Sequence, residues 1–191
     1  MVTPADLRIE RGDALPVVDV QVDFLPGGNL AVREGDAVVA PLNGWIARFE
    51  AAGLPVFATR DWHPADHCSF RAQGGIWPAH CVAGTRGAEF ADALALPRAV
   101  RIVSKAARND ADAYSGFEGT DLDARLRAAG VRRIFVGGLA TDYCVVNTVA
   151  DALKLGYAVI VLVDAIRAVD VKPGDGERAI AAMFAAGAIG V

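Results

Sequence analysis

Every imidazole of the 191-residue chain, His63, His67 and His80, falls in one stretch that opens with Asp61. In extended backbone, residues two apart point to the same side, so Asp61 and His63 of Asp61-Trp62-His63 can face one site. A loop returning His80 to that side would add a second imidazole. One carboxylate with two imidazoles is a good donor set for a divalent transition metal with positions left open. Taken singly, each histidine is a loop residue with a local hydrogen bond; the grouping is what favours a metal. His67 would join as a direct ligand or from the layer behind, through a water.

A second constellation is Phe135-Val136-Gly137-Gly138-Leu139-Ala140-Thr141-Asp142-Tyr143-Cys144, an apolar strand, a glycine turn and a helix whose N-cap would be Thr141 or Asp142. Cys144 would then sit in the first helical turn, where free N–H groups and the helix dipole favour a thiolate and can hold an oxyanion. Cysteine is also a common small buried apolar residue, and position alone leaves both readings open. Asp19 and Lys105 each close an apolar strand, Pro16-Val17-Val18-Asp19 and Arg101-Ile102-Val103-Ser104-Lys105. A buried carboxylate needs a cation or proton donor, and Lys105 could supply it; each alone could equally be a strand-end charge in water. Together with Cys144 they would put a base, a cation and a thiol at one sheet edge. Cys68 and Cys81 adjoin histidines, but neighbours in an extended loop point to opposite sides, so they read as partly packed thiols. Phe24, Trp77 and Tyr114 suit either loop packing or the walls of an aromatic pocket.

The elements that would position these groups follow from apolar runs at 14–20, 54–59, 100–105, 133–138 and 158–163, separated by helical periods at 36–52, 122–129, 142–155 and 175–186. Near-continuous apolar strands alternating with amphipathic helices signify a mostly parallel sheet covered on both faces. The expected fold is α/β, a Rossmann-like three-layer sandwich of about six strands in a single domain spanning 1–191. Gly53, Gly130 and Gly156 each stand between a helix and the next strand, as helix stops. Residues 61–98 break the rhythm with Pro, Gly, Trp and the histidines. Ligands of open parallel sheets bind beyond the carboxyl ends of the strands, where this excursion begins.

With 53% hydrophobic and 22% charged residues, the composition excludes disorder and collagen-like repeats. A net charge of −4 with scattered arginines gives nucleic acid no basic footprint. Three cysteines without a CxxC pair make a disulfide framework a poor reading, and a reducing compartment a better one. The N-terminal MVTPADLRIERGD carries charges where a signal peptide needs an apolar core, and no run approaches a membrane span, so a cytoplasmic location without a membrane partner is expected. Exposed helices on such a domain suit a monomer and a homo-oligomer alike.

In combination the residues resemble the nicotinamidases (pyrazinamidases) of the isochorismatase-like cysteine hydrolase superfamily. The segments that carry the resemblance are Val18-Asp19-Val20-Gln21-Val22-Asp23-Phe24, Asp61-Trp62-His63, Asp66-His67, Trp77-Pro78-Ala79-His80-Cys81, Val103-Ser104-Lys105, Tyr114-Ser115-Gly116-Phe117 and Ala140-Thr141-Asp142-Tyr143-Cys144. The resemblance implies hydrolysis of nicotinamide, and of pyrazinamide, through a Cys144 thioester, with Asp19, Lys105 and Cys144 as catalytic triad. It implies one divalent metal, zinc first with iron or manganese as alternatives, on Asp61, His63 and His80, with His67 a further ligand in some members. Phe24 and Trp77 would flank the pyridine ring. The N–H groups of Ala140 and Cys144 would form the oxyanion hole beside a cis Leu139–Ala140 peptide. Val22 departs from the usual Asn of the first motif, which bears on local hydrogen bonding or pocket shape. A related amidohydrolase for another carboxamide or carbamoyl group, and a non-catalytic metal or small-molecule binding module, are the alternatives.

Overall fold

The computed structural model describes residues 7–191. The domain span of 1–191 and the charged N-terminal stretch include residues 1–6, which lie outside the described residues. Six strands, β1 (Asp13–Val18), β2 (Val56–Asp61), β3 (Arg101–Lys105), β4 (Arg133–Leu139), β5 (Ala158–Arg167) and β6 (Ile189–Gly190), form one sheet in the order β3-β2-β1-β4-β5-β6. Every pairing in it is parallel. Strand order reverses between β1 and β4, and in open sheets the carboxyl end of that junction is where a crevice forms.

Period two along the strands sorts apolar side chains onto two faces. Leu15, Val17, Phe135, Ile160 and Leu162 pack with α1 (Val39–Ala51), which turns Leu42, Trp45, Ile46 and Phe49 inward at helical spacing. Ala14, Val18, Ile134, Val136, Val159 and Val161 pack with α2 (Leu122–Ala128), α3 (Val146–Lys154) and α4 (Asp175–Ala185). The first face is completed by the irregular connection between β2 and β3, whose Ala88, Ala91 and Leu94 join the α1 core. The three-layer α/β reading holds, with this connection standing where a helix would be. No helix among the described residues is long and apolar enough to cross a membrane.

Gly53, Gly130 and Gly156 all adopt positive φ, as helix stops should. The expected strand at 54–59 runs instead from Val56 to Asp61, because the chain needs Ala52 to Pro55 to reverse after α1. Asp61 thereby becomes the last residue of β2 and pairs in register with Lys105 at the end of β3. The expected helix at 36–52 begins with a 3₁₀ turn, Gly35–Val38.

Gly138 has φ 128°, and a Cβ there would lie 2.0 Å from the Val18 carbonyl oxygen. The close approach of β4 to the end of β1 depends on that missing atom. Gly53 has φ 65° with open space around it. Gly138→Ala should therefore cost about 3 kcal/mol or more in chemical denaturation, through clash added to strain, whereas Gly53→Ala should cost about 1 kcal/mol from strain alone.

Candidate active site

The carboxyl ends of β1 to β4 deliver the residues singled out above to one place. Asp19 follows β1 in a left-handed conformation, φ 48°, uncommon for a residue with a side chain. It is fully buried; its Oδ1 accepts the Thr59 hydroxyl at 2.6 Å, and its Oδ2 lies 3.1 Å from Lys105 Nζ. Lys105 Nζ also donates to Asp61 Oδ1 at 2.5 Å, to the Ala113 carbonyl at 3.1 Å and to Cys144 Sγ at 3.4 Å. Ligand atoms of Asp19, Asp61 and Cys144 converge within 4.8 Å of one another, with the ammonium bound to all three residues in the place a cation would take.

Burial dominates the electrostatics. It raises Asp19 above the ordinary carboxylate range, opposed by Lys105 and the Thr59 hydroxyl. It likewise pushes the Cys144 thiol well up, with Lys105 the main opposing influence. Burial pulls Lys105 down, but Asp19, Asp61 and Cys144 outweigh it and hold the ammonium firmly protonated. Asp61 goes the other way from Asp19: burial would raise it, yet Lys105 and His63 together keep it well below the usual range.

Cys144 sits on a wide π-helical turn, Thr141–Val145, closed by Val145 N–H to the Ala140 carbonyl and leading into α3. The helix was expected to carry a side-chain cap from Thr141 or Asp142. Ala140 stands at the cap position without one, and the Asp142 carboxylate instead accepts the N–H groups of Val169 and Asp170, each at 2.9 Å. The Leu139–Ala140 peptide is cis. Ala140 and Cys144 both line a cavity with Phe24, Leu30, Asp61, Trp77, His80, Tyr114, Tyr143 and Val169. Trp77 donates its indole N–H to the Tyr114 hydroxyl at 3.1 Å, and both rings contact Tyr143, with centroids at 5.2 and 5.5 Å.

Asp61, His63 and His80 are buried with potential ligand atoms within 4.8 Å of one another. His63 Nδ1 is held by the Ala106 carbonyl and His80 Nδ1 by the Pro78 carbonyl, which leaves each Nε2 for another partner. His63 Nε2 is buried with no hydrogen-bond partner among the described residues, 3.7 Å from Asp61 Oδ2. An orphaned imidazole nitrogen beside a carboxylate and a second imidazole fits a divalent metal. Burial lowers the pKa of His80 and keeps it neutral, as a ligand must be. His67 stands beside this trio with both nitrogens engaged, Nδ1 with the Ser69 hydroxyl and Nε2 with the Ala111 carbonyl. Its ring packs 4.2 Å from that of His63.

Cys68 is half-buried, as expected of a partly packed thiol, whereas Cys81 is wholly buried, and burial drives its thiol pKa far up. Val22 is half-buried, donates its N–H to the Glu89 carbonyl and does not line the cavity. Sequence reasoning gave no role to Thr59, Leu30, Tyr143 or Val169. Thr59 carried a usable signal, as the one hydroxyl inside the buried run of β2; the others reach the cavity only through the fold.

Residues 13–190 match the family described as the isochorismatase domain. The nicotinamidase of Escherichia coli is 40% identical over 196 residues, covering 92% of both chains. A Pyrococcus horikoshii pyrazinamidase solved in complex with zinc superposes with a TM-score of 0.91 at 50% identity, covering 94% of this chain and 98% of that one. An L. infantum protein solved in complex with nicotinate gives a TM-score of 0.87 at 37% identity, covering 95% and 92%. The domain match runs from the first residue of β1 to the last of β6, and so takes in every strand and helix of the described residues: the chain belongs to the isochorismatase family.

Proposed function

We propose that this protein is a nicotinamidase, which hydrolyses nicotinamide to nicotinate and ammonia and accepts pyrazinamide as well. The observation that carries the reading is Lys105, whose ammonium binds a buried thiol and two buried carboxylates, the thiol and one carboxylate belonging to residues that line an aromatic cavity. Relatives named nicotinamidase and a neighbour holding nicotinate support the substrate class.

In this reading Asp19 takes the Cys144 proton as the sulfur attacks the carboxamide carbon, and the carbonyl electron pair moves to oxygen. Lys105, between Asp19 and the sulfur, favours both negative charges. The oxyanion faces the N–H groups of Ala140 and Cys144, and each such donor is worth about 3 kcal/mol at the transition state. Collapse breaks the C–N bond, Asp19 hands its proton to the departing ammonia, and a thioester remains. Water then attacks the acyl carbon, giving one proton to Asp19; as the C–S bond breaks Asp19 returns that proton to the sulfur, and the product acid loses water's second proton to solvent as nicotinate. Phe24 and Trp77 border the ring, with Tyr114 and Tyr143 bracing the Trp77 side.

A divalent metal on Asp61, His63 and His80, with zinc the first candidate and iron or manganese the alternatives, would bind the pyridine nitrogen and fix the ring's orientation. His67 acts behind that set, against His63. The unpaired cysteines favour a reducing, cytoplasmic setting. An acyclic carboxamide or a carbamoyl substrate would share the thiol chemistry but would have no ring nitrogen to place against the trio.

Three outcomes are expected. Cys144→Ala should lower ammonia release from nicotinamide by at least about 10⁴-fold while leaving metal content intact; measurable turnover near wild type would end the thioester reading. Thr59→Val removes a hydrogen bond that favours ionised Asp19, so the acid limb of kcat/KM should move to higher pH, with the plateau falling about tenfold or less. Chelation should erase the preference for nicotinamide over benzamide, which lacks the ring nitrogen; a preference that survives metal removal would assign the orientation to the aromatic walls.

A further inference from the structure

Beyond Asp19, two further polar residues of the first motif are buried, and the mechanism uses neither. They stand two and four residues after Asp19: Gln21 is fully buried and Asp23 nearly so.

Gln21 spends its whole amide on backbone. Its Oε1 accepts the Asp61 N–H at 2.8 Å, and its Nε2 donates to the Asp61 carbonyl at 2.8 Å and to the Ala88 carbonyl at 3.0 Å. The side chain thus grips both peptide groups of Asp61 as a neighbouring strand would, at the point where β2 ends and pairing stops.

Asp23 does the same for the other arm of the trio. Its Oδ2 accepts the Cys81 N–H at 2.7 Å and its Oδ1 accepts the Asn29 N–H at 3.1 Å. Cys81 directly follows His80, adopts a left-handed conformation of φ 46°, and its carbonyl accepts the His63 N–H at 3.0 Å. The carboxylate also stands where a Cβ on Gly87 would lie, 2.0 Å from Oδ2, so the loop is fitted around it. Among the described residues no lysine or arginine forms an ion pair with Asp23; amide donors alone hold it. A buried carboxylate is an expensive way to fasten a loop unless its placement matters.

We propose that Gln21 and Asp23 are positioning residues of the metal site: Gln21 fixes Asp61, and Asp23, through Cys81, fixes His80 and the backbone of His63. The stretch from Asp19 to Asp23 therefore aligns the general base and the metal ligands from one piece of chain. This rests on the metal reading given above. Partners behind a ligand set commonly govern affinity by about 10–100-fold, and the same range applies here.

The test is zinc competition against a chromophoric chelator, run on the full chain as wild type, Gln21→Met, Asp23→Ala, and the milder Gln21→Glu and Asp23→Asn. Gln21→Glu keeps the acceptor for the Asp61 N–H but sets a carboxylate against two carbonyls, and Asp23→Asn keeps one acceptor of two. Zinc affinity should fall 10–100-fold in the stronger pair and less in the milder pair, which also serve if the stronger pair does not fold. Saturating zinc should restore most of kcat. The second readout is alkylation of Cys144 by iodoacetamide in metal-free protein, followed on the Cys144 peptide by mass spectrometry; in the Asp23 variants it should stay within about twofold of wild type, because Asp23 touches neither Lys105 nor its partners.

Unchanged zinc affinity in folded variants would overturn the proposal. So would a loss of affinity in the Asp23 variants that tracks a fall in melting temperature and comes with altered alkylation, since that is general destabilisation. If wild type binds no zinc, or if Asp61→Ala and His63→Ala leave affinity unchanged, the metal reading itself fails and takes this one with it.

Discussion

A single buried ammonium holds the site together. Lys105 has no exposure at its side chain and sits within 3.4 Å of two carboxylates, a carbonyl and a thiol. Taking that charge from water is tolerable only because Asp19 and Asp61 come with it, and removal of either carboxylate leaves the other partners badly compensated. The opposite behaviour of the two acids follows from how each is held. Asp61 is clasped at 2.5 Å and stays ionised, whereas Asp19 is looser at 3.1 Å and so completely buried that its proton affinity rises.

The sheet supplies this arrangement through register. Asp61 and Lys105 are directly paired at the ends of β2 and β3, and Val18, the last residue of β1, pairs with Thr59 on one side and Gly138 on the other. Each strand thus hands over its reactive group at the same level. Asp61 belongs to both halves of the site, with one oxygen on Lys105 and the other turned toward His63. The thiol with its ammonium and the Asp61, His63 and His80 trio are in that sense one charge cluster rather than two neighbouring sites.

Much of this was legible in the residues. Apolar runs and the glycine stops at 53, 130 and 156 reveal the layers, and the crowding of all histidines after Asp61 reveals the trio. What stayed hidden depends on backbone geometry that composition does not encode. Nothing about Cys81 or Ala106 signals a left-handed residue, although one follows His80 and the other follows Lys105. Asp142 has the pattern of a helix cap, but its partners are 27 and 28 residues away, and a long-range acceptor is invisible in a local window. The direct role considered for His67 meets the same limit: a histidine whose nitrogens are taken by Ser69 and Ala111 reads no differently from one whose nitrogen is free.

The strand order also bears on how the molecule is made. β1 sits between β2 and β4, and its pairing of Asp13 with Arg133 joins distant parts of the chain. A polypeptide leaving the ribosome N-terminus first can assemble β1, β2 and β3, and with them the Asp19–Lys105–Asp61 cluster, while one edge of β1 is still bare. Only when β4 docks on that edge does the turn carrying Cys144 arrive. The thiol is thus installed after the charged cluster, and a chain ended before β4 has the cluster without Cys144.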